Sequence, residues 1–498
     1  MWPFSRKDTQ KLSGARVFFT NTLTGKKEPF SPLRAGTATM YSCGPTVYSR
    51  AHIGNLRAYV FADLVARVLI QAGYRTRRVI NITDVGHLVS DADEGEDKVE
   101  LGAQMEGVSA KHLTERYTHN FIEDIRALNL NTNDILFPRA TEYIKEQLAL
   151  IKELEQLGHT YRIKDGIYFD VSTFPGYGKL GDIPKEPIQD GSAASLPDRI
   201  TLAGKSRIGE NPEKRQPADF ALWKFSPKGA QRHQEWNSPW GLGFPGWHTE
   251  CSAMAKALLG ETLDIHTGGI DHIPTHHNGE IAQSESATGK PLARYWLHGA
   301  FLTMESEKVS KSLGNVVLLT ELSKRGIHPL ALRYLFLQAH YSSPLSFSWE
   351  ALQAAREALA RLWRHAREIR ELAHDVQKPS EERDRLIVLL RDDLATPQAL
   401  ALLWDVVKDE RMPPKQAWGV ICAADEVLAL SLTNPPHINQ ALDPNTLPSD
   451  IRALIEDRET ARSARNFPKA DELRAELTTR GYHVEDTVDG PLLTKSRK

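Results

Sequence analysis

Cysteine is nearly missing from this chain: three stand among 498 residues, at positions 43, 251 and 422. So sparse and odd a set excludes a disulfide-stapled scaffold and fits a reducing compartment, so a cytoplasmic location is expected. Charge imbalance is missing too. Lys and Arg number 62 against 64 Asp and Glu, a formal net charge of −2. That balance does not announce a nucleic-acid binder, whose binding domain is typically strongly basic, so any RNA must be met by local basic patches. No run approaches the roughly 18 apolar residues of a membrane helix, and residues 1–14 have no apolar segment of the signal-peptide kind. No membrane partner is expected. No internal repeat is found. What remains is a chain of ordinary globular composition, 41% hydrophobic and 25% charged, long enough for several domains and more than one core.

The first cysteine opens the stretch around which the chain is organised, Cys43-Gly44-Pro45-Thr46-Val47-Tyr48-Ser49-Arg50-Ala51-His52-Ile53-Gly54-Asn55. The apolar, threonine-rich run before it, residues 36–41, reads as a buried strand. After it Val60, Phe61, Leu64, Val65, Val68 and Leu69 recur at helical spacing from Leu56 to Gln71, and Gly73 is placed to end that helix. The stretch is thus a strand-to-helix turn. Backbone N–H groups at such a helix start favour an anion, and His52 and Asn55 can reach a phosphate there, while Cys43 can reach a metal.

His52-Ile53-Gly54-Asn55 resembles the HIGH signature of class I aminoacyl-tRNA synthetases, and the CGPTVY before it resembles the cysteine-specific family, the cysteinyl-tRNA synthetases. Further resemblances stand at 81–84, 245–254, 266–284, 308–312 and the C-terminus, in the family's order. The resemblance implies an α/β fold: a doubly wound Rossmann-like catalytic domain split by an insertion, then an α-helical bundle and a small C-terminal domain. We place the first catalytic half at 15–135, the insertion at 136–242, the second half at 243–304, a linker domain at 305–349, the bundle on the anticodon side at 350–432, a linker at 433–450 and the small domain at 451–498. Within this frame the spacing predicts a strand over 74–82, a helix holding His276 to Glu285, and a last strand from Trp296 to Met304. Residues 173–217 read as a long loop. The acidic run Asp91, Asp93, Glu94, Glu96, Asp97, Glu100 reads as a solvated loop and helix start. Arg361, Arg364, Arg367 and Arg370 recur every third residue, and RNA contact weighs equally with a solvated face. Arg458, Arg462, Arg465 and Lys469 lie on or beside the first helix of the small domain.

His276 and Glu280 are four apart, which puts them on one face of a helix. With Cys43 and Cys251 they make two thiolates, an imidazole and a carboxylate, all acceptable zinc ligands. Both cysteines fall at expected strand-to-helix turns of one sheet, and the resemblance implies that these four hold one zinc ion per chain. Where the family has HHENE this chain has HHNGE, which spares both ligand positions. The family also implies that the substrate thiol joins the metal, with Trp247 flanking it and Thr83 and His248 nearby. Zinc suits the task because serine is nearly isosteric with cysteine, and a pocket has little steric leverage over one atom. Cys422 is expected in a core.

By the same resemblance His52 contacts the phosphates of ATP, and Lys308 and Lys311 correspond to the KMSKS lysines that stabilise pyrophosphate. Gly44 and Gly54 belong to the phosphate turn, and Gly268, Gly269 and Asp271 are expected to approach the nucleotide and its ribose. Asn55 stands for the family's second histidine and Val309 for its methionine. The expected function is ATP-dependent ligation of L-cysteine to its tRNA through a cysteinyl-adenylate, with Mg2+ accompanying ATP, in a monomer. Three rivals are weighed. A small-molecule cysteine ligase of the mycothiol-pathway type would not need the region beyond residue 350. A zinc hydrolase would need an open ligand position, and HExxH is missing. An inactive RNA-binding paralogue would not need His52, Lys311 and the ligand set.

Overall fold

A computed structural model of the chain describes residues 16–86, 88, 97–181, 211–227, 232, 234–304, 307–308, 316–436, 447–464, 466–487 and 490–495. An antiparallel hairpin, β1 (Phe18–Asn21) and β2 (Lys26–Pro29), precedes the main sheet. The centre of that sheet is β3 (Thr37–Ser42), whose Ala38, Met40 and Tyr41 are buried. The helix α1 (Ile53–Gln71) and β4 (Arg75–Ile80) complete the first βαβ unit. Gly73, at φ 93°, takes the left-handed turn that ends α1. Next come α2 (Lys98–Glu106), α3 (Ala110–Ala127) and the short β5 (Ile135–Leu136).

The insertion holds α4 (Ile144–Gln156) and an antiparallel sheet of β6 (Thr160–Ile163), β7 (Gly166–Phe169), β8 (Phe220–Phe225) and β9 (Gly243–Pro245), in that order. This sheet reaches further along the chain than expected. Trp223 pairs with Pro245 and Phe225 with Gly243, so β9 belongs to the insertion. The helix that follows, α5 (Trp247–Leu259), carries Cys251. The two cysteines therefore do not follow strands of one sheet: Cys43 follows β3, and Cys251 follows the edge strand of the other. Part of the 173–217 loop lies outside the described residues.

The main sheet resumes with β10 (Leu263–Gly269), α6 (Asn278–Thr288) and β11 (Ala293–Gly299). Its order is β11-β10-β3-β4-β5, parallel throughout. The chain leaves β3 toward β4 on one side and returns as β10 on the other, so the switch point lies between β3 and β10. Ligands of such sheets bind there, beyond the carboxyl ends of the strands; Cys43 and Gly268-Gly269 are at those two ends.

The expected last strand, 296–304, is two. β11 stops at Gly299, and β12 (Leu302–Met304) joins a small sheet with β13 (Glu307–Lys308) and β14 (Leu345–Phe347). The break is held by buried Arg57 of α1, which donates to the carbonyls of Ala300, Phe301, His340 and Ser343. Between these strands are α7 (Leu319–Lys324) and α8 (Pro329–Leu337).

The bundle comprises α9 (Trp349–Ala373), α10 (Glu381–Arg391), α11 (Thr396–Lys408) and α12 (Pro414–Leu428). It shares one apolar core with the domain built on the main sheet: Leu64 and Val68 of α1, Leu332 and Phe336 of α8, and Leu359, Trp363, Trp418 and Cys422 belong to it. The small domain, α13 (Ser449–Ser463), α14 (Phe467–Thr479), β15 (Tyr482–Thr487) and β16 (Gly490–Lys495), has its own core of Leu447, Ile451, Leu477, Val484 and Leu493.

Several of the charged residues singled out in the sequence are buried or fasten the chain, and in the acidic run, which was expected to be solvated, two are internal. Asp97 is buried, caps α2 at Val99 N and pairs with Arg232 at 2.8 Å. Glu100 is buried too, while Asp91, Asp93, Glu94 and Glu96 lie outside the described residues. Arg367 donates to Pro436 O, and Arg370 to Thr433 O and Asp375, so half of the arginine row fastens the segment after the bundle. Arg458 is 1% exposed and belongs to the interior of the small domain; Arg465 lies outside the described residues.

Candidate active site

The end of β3, the first turns of α5 and the start of α6 converge on one buried spot. There Cys43, Cys251, His276 and Glu280 each offer a ligand atom within 4.8 Å of the others. A π turn, Ile273–His277, leads into α6, a distortion that often marks functional sites. It delivers both His276 and His277 to the interior, and α6 is buried on every side from Asn278 to Ser284. His276 Nε2 stands 2.9 Å from Glu280 Oε1, one turn along the helix. An imidazole nitrogen and a carboxylate oxygen brought together with two sulfurs are what a shared cation requires.

The electrostatics favour a cation as well. Burial opposes the charged imidazole of His276, yet Glu280 and Cys251 outweigh it and raise the group to about 10. Burial also opposes the Glu280 carboxylate, which His266 and His276 nonetheless hold well below the ordinary range. Burial raises both thiols; Cys43 stays well above its usual value, while the hydrogen bond from Cys43 brings Cys251 down to about 6. The set gathers negative charge and holds it with a proton on His276. A divalent cation brings two charges in place of that one, and binding it would release the proton. Two sulfurs, an imidazole and a carboxylate are a donor set that suits zinc.

A second layer of histidines surrounds the four. His266 Nε2 holds Glu280 Oε2 at 2.8 Å, and the ring stacks on Trp296. His277 Nε2 meets Cys43 Sγ at 3.2 Å, and its Nδ1 meets His298 Nε2 at 2.8 Å. Burial drives His277 and His298 well below the ordinary imidazole value, so both are neutral. His248 Nδ1 meets His276 Nδ1 at 3.0 Å. Of these, sequence reasoning assigned a role to His248 alone. A signal was present: six of the 18 histidines fall between 248 and 298.

The other expected substrate residues lie around this spot. Trp247 stacks over His276 with ring centroids 4.2 Å apart. Thr83 is buried at the turn after β4, bridged to Thr46, and its hydroxyl accepts from Asn81 Nδ2. Asp84, also at that strand end, accepts from Arg139 and from Thr141, so it fastens the chain after β5.

At the turn between β3 and α1, where phosphate contact is expected, His52 is the N-cap of α1. Its Nδ1 accepts from Asn55 N at 3.3 Å while Asn55 Oδ1 accepts from His52 N at 3.2 Å, a reciprocal capping box. Asn55, the departure from the family signature, thus secures the helix start, and the bond to Nδ1 leaves the ring proton on Nε2. Gly44 is where the backbone passes Asn81: a Cβ would fall 1.5 Å from Asn81 O. At Gly268 a Cβ would meet His277 and His272 at 2.6 and 2.8 Å, so this glycine also serves close packing at the switch point. Gly54 is in the first turn of α1, and Asp271 in a 3-10 turn just after Gly269. Lys308 ends β13. Lys311 lies outside the described residues. The chain re-emerges beside the same turn: Ile53 N donates to Val317 O, and His52 bridges Leu318.

Two family descriptions fit the chain: "tRNA synthetases class I (C) catalytic domain" over residues 29–357 and "Cysteinyl-tRNA ligase anticodon binding domain" over 445–490. Cysteine--tRNA ligase 1 of Burkholderia lata is 46% identical, covering 93% of this chain and 94% of that protein. Cysteine--tRNA ligase of Treponema denticola is 41% identical over 94% of this chain and 97% of that one. The fold is also that of Mycobacterium tuberculosis methionyl-tRNA synthetase in complex with methionyl-adenylate, at 17% identity and a TM-score of 0.52 over 80% of this chain and 92% of that one. Agrobacterium radiobacter K84 agnB2 LeuRS, in a ternary complex with tRNA and LeuAMS, matches at 12% identity and a TM-score of 0.56 over 82% and 88%.

Proposed function

From the premise that this chain belongs to the cysteine–tRNA ligases among the class I tRNA synthetases, we propose that it ligates L-cysteine to tRNA(Cys) in two steps and selects its substrate by sulfur at a zinc ion. In the first step a carboxylate oxygen of cysteine attacks the α-phosphorus of ATP, an O–P bond forms, and pyrophosphate leaves. In the second, a terminal ribose hydroxyl of the tRNA attacks the activated carbonyl and AMP leaves.

The observation that carries this reading is the convergence of Cys43, Cys251, His276 and Glu280 on one buried point. Zinc held by these four would supply a Lewis acid that accepts a thiolate and not a hydroxyl, where shape alone would separate cysteine from serine poorly. The residues around it orient the substrate. Trp247 lies flat over His276 and offers an apolar wall to the thiol, while Thr83, buried at the turn after β4, bounds the substrate. His52, with its proton on Nε2, and the N-terminus of α1 face the phosphates of Mg2+-ATP; Gly54 lets the nucleotide close on that turn. Gly268, Gly269 and Asp271 border the ribose at the switch point. Lys308 and Lys311 lie on the stretch that starts at β13 and returns beside His52; they would meet the charge that develops on pyrophosphate.

The small C-terminal domain supports a tRNA partner over the small amine of the rival ligase, because an anticodon-binding description fits it. Three cysteines without a disulfide suit a reducing cytoplasm, and among the described residues no helix is long and apolar enough to cross a membrane. The test is ATP–pyrophosphate exchange with each amino acid in turn, elemental analysis, and charging of total tRNA. One zinc per chain, exchange with cysteine alone and loss of exchange on chelation are expected. A zinc-free protein that still activates cysteine and rejects serine would overturn the sulfur-reading argument.

A further inference from the structure

The His276 imidazole presents Nε2 to the cluster and Nδ1 to the rear, where His248 Nδ1 meets it at 3.0 Å. That rear contact fixes how the ring is turned about its axis, and therefore where Nε2 points. What places His248 is in turn visible. Its ring lies against the backbone of α6 at Gly279, where an added Cβ would fall 2.9 Å from His248 Cγ and 3.2 Å from both Cδ2 and Nδ1. The first of these is closer than a real Cβ contact, and Cγ is the root of the ring, so no rotation of the ring moves it away. Retreat is blocked on another side. Phe220 meets the His248 ring edge-on at 4.9 Å, and Phe220 is itself buried and stacked on Phe169 at 5.1 Å. His248 occupies a slot whose floor exists because residue 279 has no side chain.

We propose that Gly279 and His248 form a positioning pair for the ligand His276, in which the missing Cβ at 279 sets the place of the His248 ring and that ring sets the direction of His276 Nε2. His248 then acts through His276 rather than on the substrate. The inference rests on the zinc reading above and adds to it a residue that touches neither metal nor substrate.

Alanine at 279 is a favourable test because α6 is helical there, and alanine suits a helix better than glycine. Any loosening of the site by Gly279→Ala therefore runs against the intrinsic helix preference. The full-length protein is loaded with zinc and challenged with a graded chelator, and a cobalt-loaded sample supplies the ligand-field spectrum. Gly279→Ala is expected to weaken zinc retention by about 10-fold or more, the scale of lost outer-layer support, to alter the cobalt spectrum, and to raise KM for cysteine while KM for ATP holds. In a His248→Ala background the same substitution is expected to add nothing. His248→Phe, which keeps the ring and removes Nδ1, is expected to weaken retention with Gly279 intact, and it keeps the proposal testable if Gly279→Ala does not fold. Equal retention and an unchanged spectrum in Gly279→Ala, undiminished retention in His248→Phe, or a full additional loss in the His248→Ala background would each overturn the pair. If the wild-type protein itself held no zinc, the metal reading would fail instead, so the two failures are distinguishable.

Discussion

Asp63 should be costlier to neutralise than any arginine that binds it is to remove. It sits in the middle of α1, fully buried, and three guanidiniums converge on it: Arg67 Nε at 2.6 Å, Arg333 Nη2 at 2.9 Å and Arg78 Nη1 at 3.2 Å. Three positive charges thus share one carboxylate. Part of the surplus is met by helix ends. Arg333 donates to Leu428 O and Leu128 O, and Arg67 to Glu426 O and Asn129 O, all at or near the C-termini of α12 and α3, where the helix dipole is negative. Asp63→Asn keeps the shape and an acceptor oxygen, so it isolates the charge. It leaves three inward cations without a counter-charge, a loss of about 3–5 kcal/mol. A second route gives a lower figure of the same sign. Burial raises the Asp63 pKa, but Arg67, Arg333 and Arg78 outweigh burial and hold it at about 2, which contributes about 2–3 kcal/mol at neutral pH. Arg333→Met leaves Asp63 two partners and relieves repulsion, but orphans two carbonyls, about 1–3 kcal/mol. Arg67, one-fifth exposed, should cost about 1 kcal/mol or less on removal.

Urea unfolding of the full chain, followed by fluorescence and circular dichroism, gives the order, provided the two probes coincide. The pH dependence is a further check. Because the folded pKa of Asp63 is depressed, its contribution is complete above its unfolded value of about 4 and is lost as pH falls toward 2. The gap between wild type and Asp63→Asn should be constant from neutral pH to about 5 and close below about 4. A cost smaller than that of Arg333→Met, or a gap that persists in acid, would refute the idea that the carboxylate holds this junction.

Removal of residues 437–498 should leave cysteine-dependent pyrophosphate exchange within about twofold while charging of tRNA drops, since the small domain has its own core; undiminished charging would refute its role. A cut near residue 340 should instead abolish soluble folded protein, seen by circular dichroism, because it divides one apolar core. Lys311→Ala should raise the barrier to adenylate formation by about 2–4 kcal/mol with zinc content unchanged; an unaltered exchange rate would remove this lysine from the site. In chelated protein, thiolate absorbance should rise by one thiol as pH passes about 6, the Cys251 value, and Cys251→Ser should abolish that step while Cys422, pushed by burial up to about 12, stays protonated.

The parts of the fold legible in the sequence are those written in local period. Apolar spacing along α1 and the turn before it carry their own geometry, and scarcity made the two thiols conspicuous: with three cysteines in the chain, two beside family-like motifs stand out. The insertion's boundary was not legible, because Gly243–Pro245 reads equally well as a strand of either sheet, and only pairing with Trp223 to Phe225 decides it. Charged interior positions were hidden for a related reason. Arg57, Asp63 and Arg67 fall in the polar gaps of the α1 period, so the pattern assigns them to solvent. In the folded chain a second layer of structure covers those gaps: α8 and α12 bring Arg333 and the carbonyls of 426 and 428, and the 299–301 and 340–343 turns bring acceptors to Arg57. A helix buried on both its apolar and its polar face must satisfy the polar face internally. The same helix is capped by His52, so the residues that close its polar face also fix the direction in which the turn between β3 and α1 points. The bundle is therefore joined to the turn at His52 through α1, by contacts that no periodic signal in the sequence could have announced.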